Sequence, residues 1–463
     1  MSQSCFSSGR RVHFVGIAGS GMCGIAGILL GRGLAVSGSD SKEQSSLDSL
    51  RRAGARIFIG HDSKNVEGVE ILVVSAAISS DNPEVEEARR LGLPILARAE
   101  ALAELLIGRR SIAVAGTHGK TTTSGMLAWA LSAMGEDPSF VVGSMIQGLN
   151  SGSADGSGDA FIVEADESDG SFMRYHPWGA VITNLELDHV DNFKNLAEVR
   201  ALFTEFVKTV KGFLVRCGND KELASIEIPA GLLTISYGIK EAKGGVFDLE
   251  LSELVLAQRS ASARVTWRGK VLGDLNLSFS GRHNLLNAGA VIATLLEMGF
   301  EAERIFPALA TFQGTSRRFE LKGEARGVTV VDDYGHHPTE IHATLAMARS
   351  YLADTGRLIA IFQPHRYSRT EVFSKEFAVS LDDADLIYLM DIYSASEKPI
   401  EGVTTDLIAR EMDQGKVRFP SSREELIEKL IAEVRPGDLL LTLGAGDITE
   451  LGGEILDRLG KGE

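Results

Sequence analysis

Residues 111–128 read SIAVAGTHGKTTTSGMLA, and the fold follows from how this stretch is parsed. Ser111 to Ala115 is an uncharged run of β type, and Gly116, Thr117, His118 and Gly119 form a tight turn. Lys120 and three threonines then lead into an apolar segment of helical character. A strand, a glycine turn and a helix in that order make a phosphate cradle. The glycines let backbone N–H groups converge, and the helix aims its unpaired amides and positive dipole end at the same point. Lys120 adds a point charge for outer phosphates, and Thr121 or Thr122 a hydroxyl for Mg²⁺. The common nucleotide loop G-x-x-x-x-G-K-[ST] requires glycine at position 114, where Val114 stands. A helix entry that merely favours small residues is the plainer reading, but it leaves the strand, the lysine and the threonine run unconnected.

Outward from this stretch, 463 residues exceed one ordinary core and predict about three domains. Hydrophobic residues at 44% and charged residues at 24% are those of a soluble globular chain. With 47 Lys and Arg against 63 Asp and Glu, the net charge is −16. That balance argues against general binding to nucleic acid or an anionic membrane, so any anionic ligand must be held by local groups. Cys5, Cys23 and Cys217 are far apart and in no metal-ligand spacing, which predicts a reduced, cytoplasmic setting without a disulfide or structural metal. The uncharged stretch Val12–Gly31 after Arg10 and Arg11 imitates a signal peptide or membrane span, but its six glycines dilute hydrophobicity and spoil a continuous helix, so no span is expected.

From Arg11 to Arg98 β-type and helical runs alternate, the pattern of a parallel sheet covered by helices. The first turn carries Gly19, Gly21 and Gly24 in a G-x-G-x-x-G, and Asp40 follows near the end of the second strand. Alone, this reads as a dinucleotide site with the acid on a ribose hydroxyl, which keeps an NAD-dependent dehydrogenase open. A merely tight strand–helix turn is the plainer alternative.

The second α/β unit continues through a polar loop, Asn150–Asp159, expected to be mobile. Two strands follow, AFIVEADES and AVITNLELDH. Ligands of open α/β sheets gather beyond the carboxyl ends of strands, so Glu164, Asp166, Glu167, Asp188 and His189 share a rim with Lys120. There they supply hard ligands for Mg²⁺ on a nucleotide. Singly, each is an ordinary loop carboxylate or helix cap. Val246–Ser280 reads as β hairpins and Arg282–Gly299 as an amphipathic helix. Arg282, His283, Asn284 and Asn287 cluster at its start, where asparagine serves either as a cap or as a reader of a purine edge. Near Gln313–Arg318 the pattern restarts as a third α/β series, with polar clusters after strand ends in DDYGHHPTE and QPHRYSRT. There His336, His337, His365, Arg366 and Arg369 suit carboxylates or phosphates. The expected domains are 1–108, 109–314 and 315–463.

The ordered set GTHGKTTT, EADESDGSF, TNLELDHVD, GRHNLLNA, TSRRFE, DDYGHHPTE and FQPHRYSRT resembles the Mur ligases of bacterial cell-wall synthesis, from about Val12 to the Gly444–Gly446 turn. The resemblance implies an α/β protein of three domains: an N-terminal Rossmann-like UDP-binding domain, a central P-loop-type ATPase domain with a mainly parallel sheet plus antiparallel strands, and a C-terminal Rossmann-like domain. It is nearest to the branch that joins L-alanine to the lactyl carboxylate of UDP-N-acetylmuramate. A related branch that attaches a recycled tripeptide to the same sugar nucleotide is the alternative. Lys120 with its threonine run argues against a dehydrogenase as an account of the whole chain, and the carboxylates and histidines spread over two sheets argue against a nucleotide-switched binding protein.

The resemblance implies that Gly19, Gly21 and Gly24 face a UDP diphosphate, with Ser37, Asp40 and Ser75 near the uridine or ribose. Gly116, Thr117, His118, Gly119, Lys120, Thr121 and Thr122 would hold ATP, Asn284 and Asn287 the adenine, and Arg318 or Asp333 the rest of the nucleotide. Thr121 would hold one Mg²⁺, and Glu164 with His189 a second. Several Mur ligases bridge metals with a carbamylated lysine after the DH motif. This chain offers only Lys208, late in its helix, and Glu164 takes that place. Lys120, Glu164, His189, Arg366 and Arg369 are the implied catalytic set, the two arginines holding carboxylate or phosphate oxygens. His118 stands between the glycines with no definite role. A monomer or homodimer is expected.

Overall fold

The computed structural model describes residues 4–241, 245–352 and 355–461. They form three sheets. In the first, β1 (Arg11–Val15), β2 (Ala35–Asp40), β3 (Arg56–Ile59), β4 (Ile71–Val74) and β5 (Ile95–Ala97) lie in the order β3-β2-β1-β4-β5, every pair parallel. Strand order reverses at β1, so the turn after it, where the helix Ser20–Gly31 begins, opens on a crevice between β2 and β4.

The second sheet contains β6 (Arg110–Ala115), β7 (Ser139–Ile146), β8 (Ser151–Ala154), β9 (Ala160–Glu164), β10 (Gly179–Ile182), β11 (Phe213–Cys217), β12 (Leu233–Ile239), β13 (Leu249–Ala257), β14 (Ser260–Trp267) and β15 (Lys270–Leu277). The order is β15-β14-β13-β12-β11-β10-β6-β9-β7-β8. The middle is parallel, and β13 to β15 form antiparallel hairpins as their alternation predicts. Strand β6 is buried beyond its first residue, as a continuous apolar run in a parallel centre must be. The helices Lys120–Ala133 and Arg282–Glu297 are buried along most of their length and pack on one another inside this domain.

Asn150–Asp159 is a correction. Ser151–Ala154 pairs antiparallel with β7 as an edge strand, and Asp155 fastens it to Arg32 at 2.9 Å and to the Ser139 hydroxyl at 3.2 Å. Four small residues hide the alternation of a strand, yet the site needs them, since a side chain at Gly152 would stand 3.0 Å from the Ser144 carbonyl oxygen.

The third sheet has β16 (Glu320–Ala325), β17 (Val328–Asp333), β18 (Leu358–Phe362), β19 (Leu386–Leu389), β20 (Val417–Arg418) and β21 (Leu439–Leu443), in the order β16-β17-β21-β18-β19-β20, antiparallel only at β16–β17. One apolar core runs unbroken through the first two sheets, whereas the third has its own layers, one on each face. The third domain therefore meets the other two through largely polar contacts. All three cysteines are free, and among the described residues no helix is long and apolar enough to cross a membrane.

Candidate active site

Strand β6 is the switch point of the second sheet, flanked by β9 and β10, so its turn receives residues from both. Thr183 and Asn184 follow β10 and pin the turn: the Thr183 hydroxyl donates to the His118 carbonyl oxygen at 2.5 Å, Asn184 Nδ2 to the same oxygen at 2.9 Å, and the His118 N–H to Asn184 Oδ1 at 2.8 Å. Gly116 has φ +124°, and a Cβ there would stand 2.2 Å from the Thr183 hydroxyl oxygen. Gly119 has φ +80°, and its Cβ would meet Asn287 Oδ1 at 2.7 Å. Only glycine fits both positions, and the second clash brings Asn287 directly onto the loop.

A cavity of about 740 Å³ lies over this turn, lined among others by Lys120, Thr121, Glu164, Asp188, His189, Arg366 and Arg369. Lys120 Nζ folds back on its own loop, donating to the Gly116 and Thr117 carbonyl oxygens at 2.6 and 3.0 Å and to Glu167 at 3.0 Å. Burial disfavours its charge, but Glu167 and Asp166 outweigh burial and hold the ammonium pKa above its ordinary value. The Thr121 hydroxyl donates to Glu164 at 2.9 Å, and Glu164 also accepts from the Gly143 N–H at 2.7 Å. His189 adopts φ +50°, a left-handed conformation that turns its ring to 3.8 Å from Glu167 and 4.0 Å from Asp188.

The third domain closes this cavity. Arg369 donates to Asp188 at 2.7 and 3.1 Å, and Arg366 pairs with Asp191. Burial works against the Asp188 charge, yet Arg369 holds its carboxyl well below the carboxylate range. The same guanidinium and burial together lower His365 to about 4 and His336 to about 3, so both rings are neutral near pH 7.

A second cavity, of about 520 Å³, shares Gly119, Arg318 and Glu340 with the first and extends to Phe279, His283, Asn284, Asn287, Phe312, Phe319, Asp333 and Tyr351. Asn284 is not a cap: the helix is capped at Gly281 without a side-chain bond, and Asn284 Nδ2 donates to the Ser280 carbonyl oxygen at 2.8 Å. Arg318 lies 3.4 Å from Glu340. Asp333 accepts the Phe319 and Gly335 N–H groups, both at 2.7 Å, and burial raises its pKa to about 6.

His118 sits where the domains meet, its ring nitrogens 3.4 Å from Glu186 and 3.2 Å from Glu340. Neither ring nitrogen has a hydrogen-bond partner of good geometry, yet both carboxylates are near enough to favour the charged ring. Burial opposes protonation, but the two carboxylates raise the His118 pKa to about 9. His118, Glu186 and His337 also bring ligand atoms within 4.8 Å of one another. However, His337 already uses Nδ1 to accept from the Thr339 N–H at 3.3 Å and Nε2 toward the Leu187 carbonyl oxygen at 3.2 Å.

The first glycine loop opens a cavity of about 350 Å³, lined by Gly19, Gly21, Ser75 and Arg98 and sharing Gly143, Glu164 and Asp166 with the 740 Å³ cavity. Three cavities thus run in series from Tyr351 through Lys120 to Gly19. Gly24 is not on this wall, for a side chain there would meet Ser153 at 3.1 Å, and its smallness serves the packing of the first helix on β8. Asp40 accepts from the Ala18 N–H at 2.9 Å, and the Ser37 hydroxyl meets His13 Nδ1 at 2.8 Å.

The donor set fits Mg²⁺. Glu164 Oε1, the Thr121 hydroxyl and further carboxylates at Asp166 and Asp188 are hard oxygen ligands facing one cavity, and His189 adds one imidazole. Lys208 is elsewhere, exposed and paired with Glu205 at 2.6 Å. Glu186, Asp191 and Glu340 lie inside sequence motifs, yet their importance depends on which domain faces them, and spacing along the chain does not encode that.

Three family models match the chain: "Mur ligase family, catalytic domain" over residues 11–110, "Mur ligase middle domain" over 114–295 and "Mur ligase, glutamate ligase domain" over 317–446. A UDP-N-acetylmuramate–L-alanine ligase of Renibacterium salmoninarum is 45% identical, covering 97% of this chain and 96% of its own. The structure of a UDP-N-acetylmuramate-alanine ligase from Thermotoga maritima superposes with a TM-score of 0.82 at 28% identity, covering 98% of this chain and 100% of that one. A murein peptide ligase from Psychrobacter arcticus superposes with a TM-score of 0.71 at 25% identity, covering 98% and 99%.

Proposed function

The chain belongs to the Mur ligase family, and from that premise we propose that it joins L-alanine to the lactyl carboxylate of UDP-N-acetylmuramate at the expense of ATP, releasing ADP and phosphate. The observation that carries this reading is the series of three connected cavities. A chamber walled by Phe279, Phe312 and Tyr351 with asparagines at its edge suits adenine at one end, a glycine loop at the other suits a diphosphate, and the charged chamber lies between them.

A carboxylate does not react with an amine in water until its oxygen becomes a leaving group. Adenine enters the chamber of Phe279 and Phe312, with Asn284 and Asn287 at its edge and Arg318 and Asp333 beyond. The amides of Gly116–Thr122 receive the phosphates. Lys120 exchanges its loop carbonyls and Glu167 for the γ-phosphoryl oxygens and offsets charge there as the sugar's carboxylate attacks. Thr121, Glu164 and His189 would hold two Mg²⁺, which supply the charge that lets two anions approach. Attack gives an acyl phosphate and ADP. The alanine amine then adds to the acyl carbon, and the tetrahedral oxyanion collapses to amide and phosphate. Arg366 and Arg369, now paired with Asp191 and Asp188, stand where carboxylate or phosphate oxygens would be held. Their place on the third domain makes closure a condition of chemistry.

The test is phosphate release with ATP, Mg²⁺ and UDP-N-acetylmuramate while amines are supplied singly. L-alanine should drive release, and L-alanyl-γ-D-glutamyl-meso-diaminopimelate should not. Preference for the tripeptide, or release indifferent to any amine, would overturn the assignment.

A further inference from the structure

Arg366 and Arg369, which the third domain brings to the charged chamber, stand at the start of one helix, Tyr367–Leu381. That helix has no cap of its own. Arg366 occupies the cap position at φ +74° without a side-chain bond, so the first amides need partners from elsewhere. The partner is Glu397, in the loop after β19 and 30 positions along the chain from Tyr367. One of its oxygens accepts from the Tyr367 N–H at 2.7 Å and the Ser368 N–H at 3.2 Å, and the other accepts from the Ser368 hydroxyl at 2.6 Å.

The loop is held against this motif by its backbone and by a ring. The Arg366 N–H donates to the Tyr393 carbonyl oxygen and the Tyr393 N–H to that of Pro364, both at 2.8 Å. The Tyr393 ring stacks on His365 with centroids 5.7 Å apart, and a side chain at Gly446 would stand 2.7 Å from the same ring. Ala395 and Ser396, just before Glu397, adopt φ +48° and +70°, a left-handed pair that residues with a Cβ rarely form. Strain of this kind persists where the surrounding contacts dictate the backbone, and it gathers at functional sites.

Glu397 also faces the guanidinium. Its Oε1 lies 3.9 Å from Arg366 Nη1, the nitrogen that pairs with Asp191 of the central domain. Asp191 is within reach only while the two domains are docked, whereas Glu397 belongs to the domain that carries the arginine. Glu397 itself is not part of the lining of the 740 Å³ cavity, so it acts on the reaction through the residues it holds.

We propose that Glu397 is the positioning residue of Arg366; this rests on the reading of Arg366 as a group that holds carboxylate or phosphate oxygens. Glu397 fixes the first turn of the helix Tyr367–Leu381 and keeps the guanidinium over the chamber when Asp191 releases it to a substrate oxygen. A carboxylate suits both tasks, since it accepts from several N–H groups and attracts a cation.

The test is a double-mutant cycle on the full chain, reading alanine-dependent phosphate release for the wild type, Glu397→Ala, Arg366→Ala and the double variant, with Tm measured on each. Glu397→Ala should lower kcat about tenfold or more, the loss expected for a hydrogen-bonded charge, with the KM for ATP within about twofold of the wild type. Glu397→Gln still accepts from the two amides but lacks the charge, and it should lose less. It also carries the cycle if Glu397→Ala does not fold. On the residual activity of Arg366→Ala, removing Glu397 should cost less than about twofold further. Losses that multiply, a loss confined to the KM for ATP, or wild-type kcat without Glu397 overturn its role. Wild-type turnover in Arg366→Ala overturns the underlying reading of Arg366, and the proposal with it.

Discussion

Arg369 grips Asp188 through Nη2 at 2.7 Å and Nε at 3.1 Å, and the two side chains, only 4% and 5% exposed, belong to different domains. Because the third domain shares no apolar core with the others, this pair is one of the polar contacts that hold it in place, beside Arg366–Asp191 and Thr339–Glu186. Removing one partner of a buried pair leaves the other charge desolvated and unpaired, which costs about 3–5 kcal/mol. Arg369→Ala should therefore lower the free energy of unfolding, read from a denaturant titration, by an amount in that range, and Arg369→Ala with Asp188→Asn should recover much of it. Equal losses in the single and double variants would deny the coupling. Ligation should fall by ~10²-fold or more in Arg369→Ala if the arginine also stabilises charge formed in the reaction.

Lys120 offers a separation of binding from chemistry. Its ammonium is held by two loop carbonyls and Glu167, on a different sheet from the first glycine loop. Lys120→Ala should abolish alanine-dependent phosphate release and leave the Kd of UDP-N-acetylmuramate within about threefold, since the uridine and diphosphate are held in the chamber of the first glycine loop, whose lining does not include Lys120. Near-normal turnover would remove Lys120 from the mechanism.

What could be read in the sequence was local, and what could not was relational. Strand, glycine turn, lysine and threonines are consecutive, so residues 111–128 showed their purpose directly, and period-2 and helical runs gave three α/β units. Ser151–Ala154 reads as part of a loop because small residues carry no alternation, although it is an edge strand. The sequence leaves Asn284 open between a helix cap and a reader of a purine edge, and only the helix start at Arg282 shows that it bonds the Ser280 carbonyl oxygen instead of capping. The pairing of Arg366 with Asp191 spans 175 positions and that of Arg369 with Asp188 spans 181, separations at which only the docking of domains decides contact.

Glu164 joins the Thr121 hydroxyl to the Gly143 N–H and is the carboxylate best placed to serve Mg²⁺ in the charged chamber. Glu164→Gln keeps the shape but loses the charge that a divalent cation needs. The Mg²⁺ concentration giving half-maximal ligation should rise at least ~10-fold, the scale on which metal affinity responds even to outer ligands. Chelation of the metal should stop turnover of the wild type. An unaltered Mg²⁺ titration in Glu164→Gln would move the metal elsewhere.

His118 gives the domain seam a dependence on pH whose sign can be worked out. Its pKa is raised from 6.5 to about 9 by Glu186 and Glu340, so the folded chain binds this proton more tightly than the unfolded one. The stabilisation is fully present below pH 6.5, shrinks as the pH rises, and is lost once the pH passes about 9. Glu186, lowered to about 2 by His118 against the opposing effect of burial, stays ionised throughout that window, so the histidine alone titrates there. His118→Asn removes the charge but can keep the backbone bond to Asn184 that holds the turn. The difference in Tm between wild type and His118→Asn should be largest at pH 6, smaller at pH 8 and close to zero at pH 10. A difference that stays constant across this range would mean that His118 acts by packing against His337, whose ring lies 4.6 Å away, rather than as a cation between two domains.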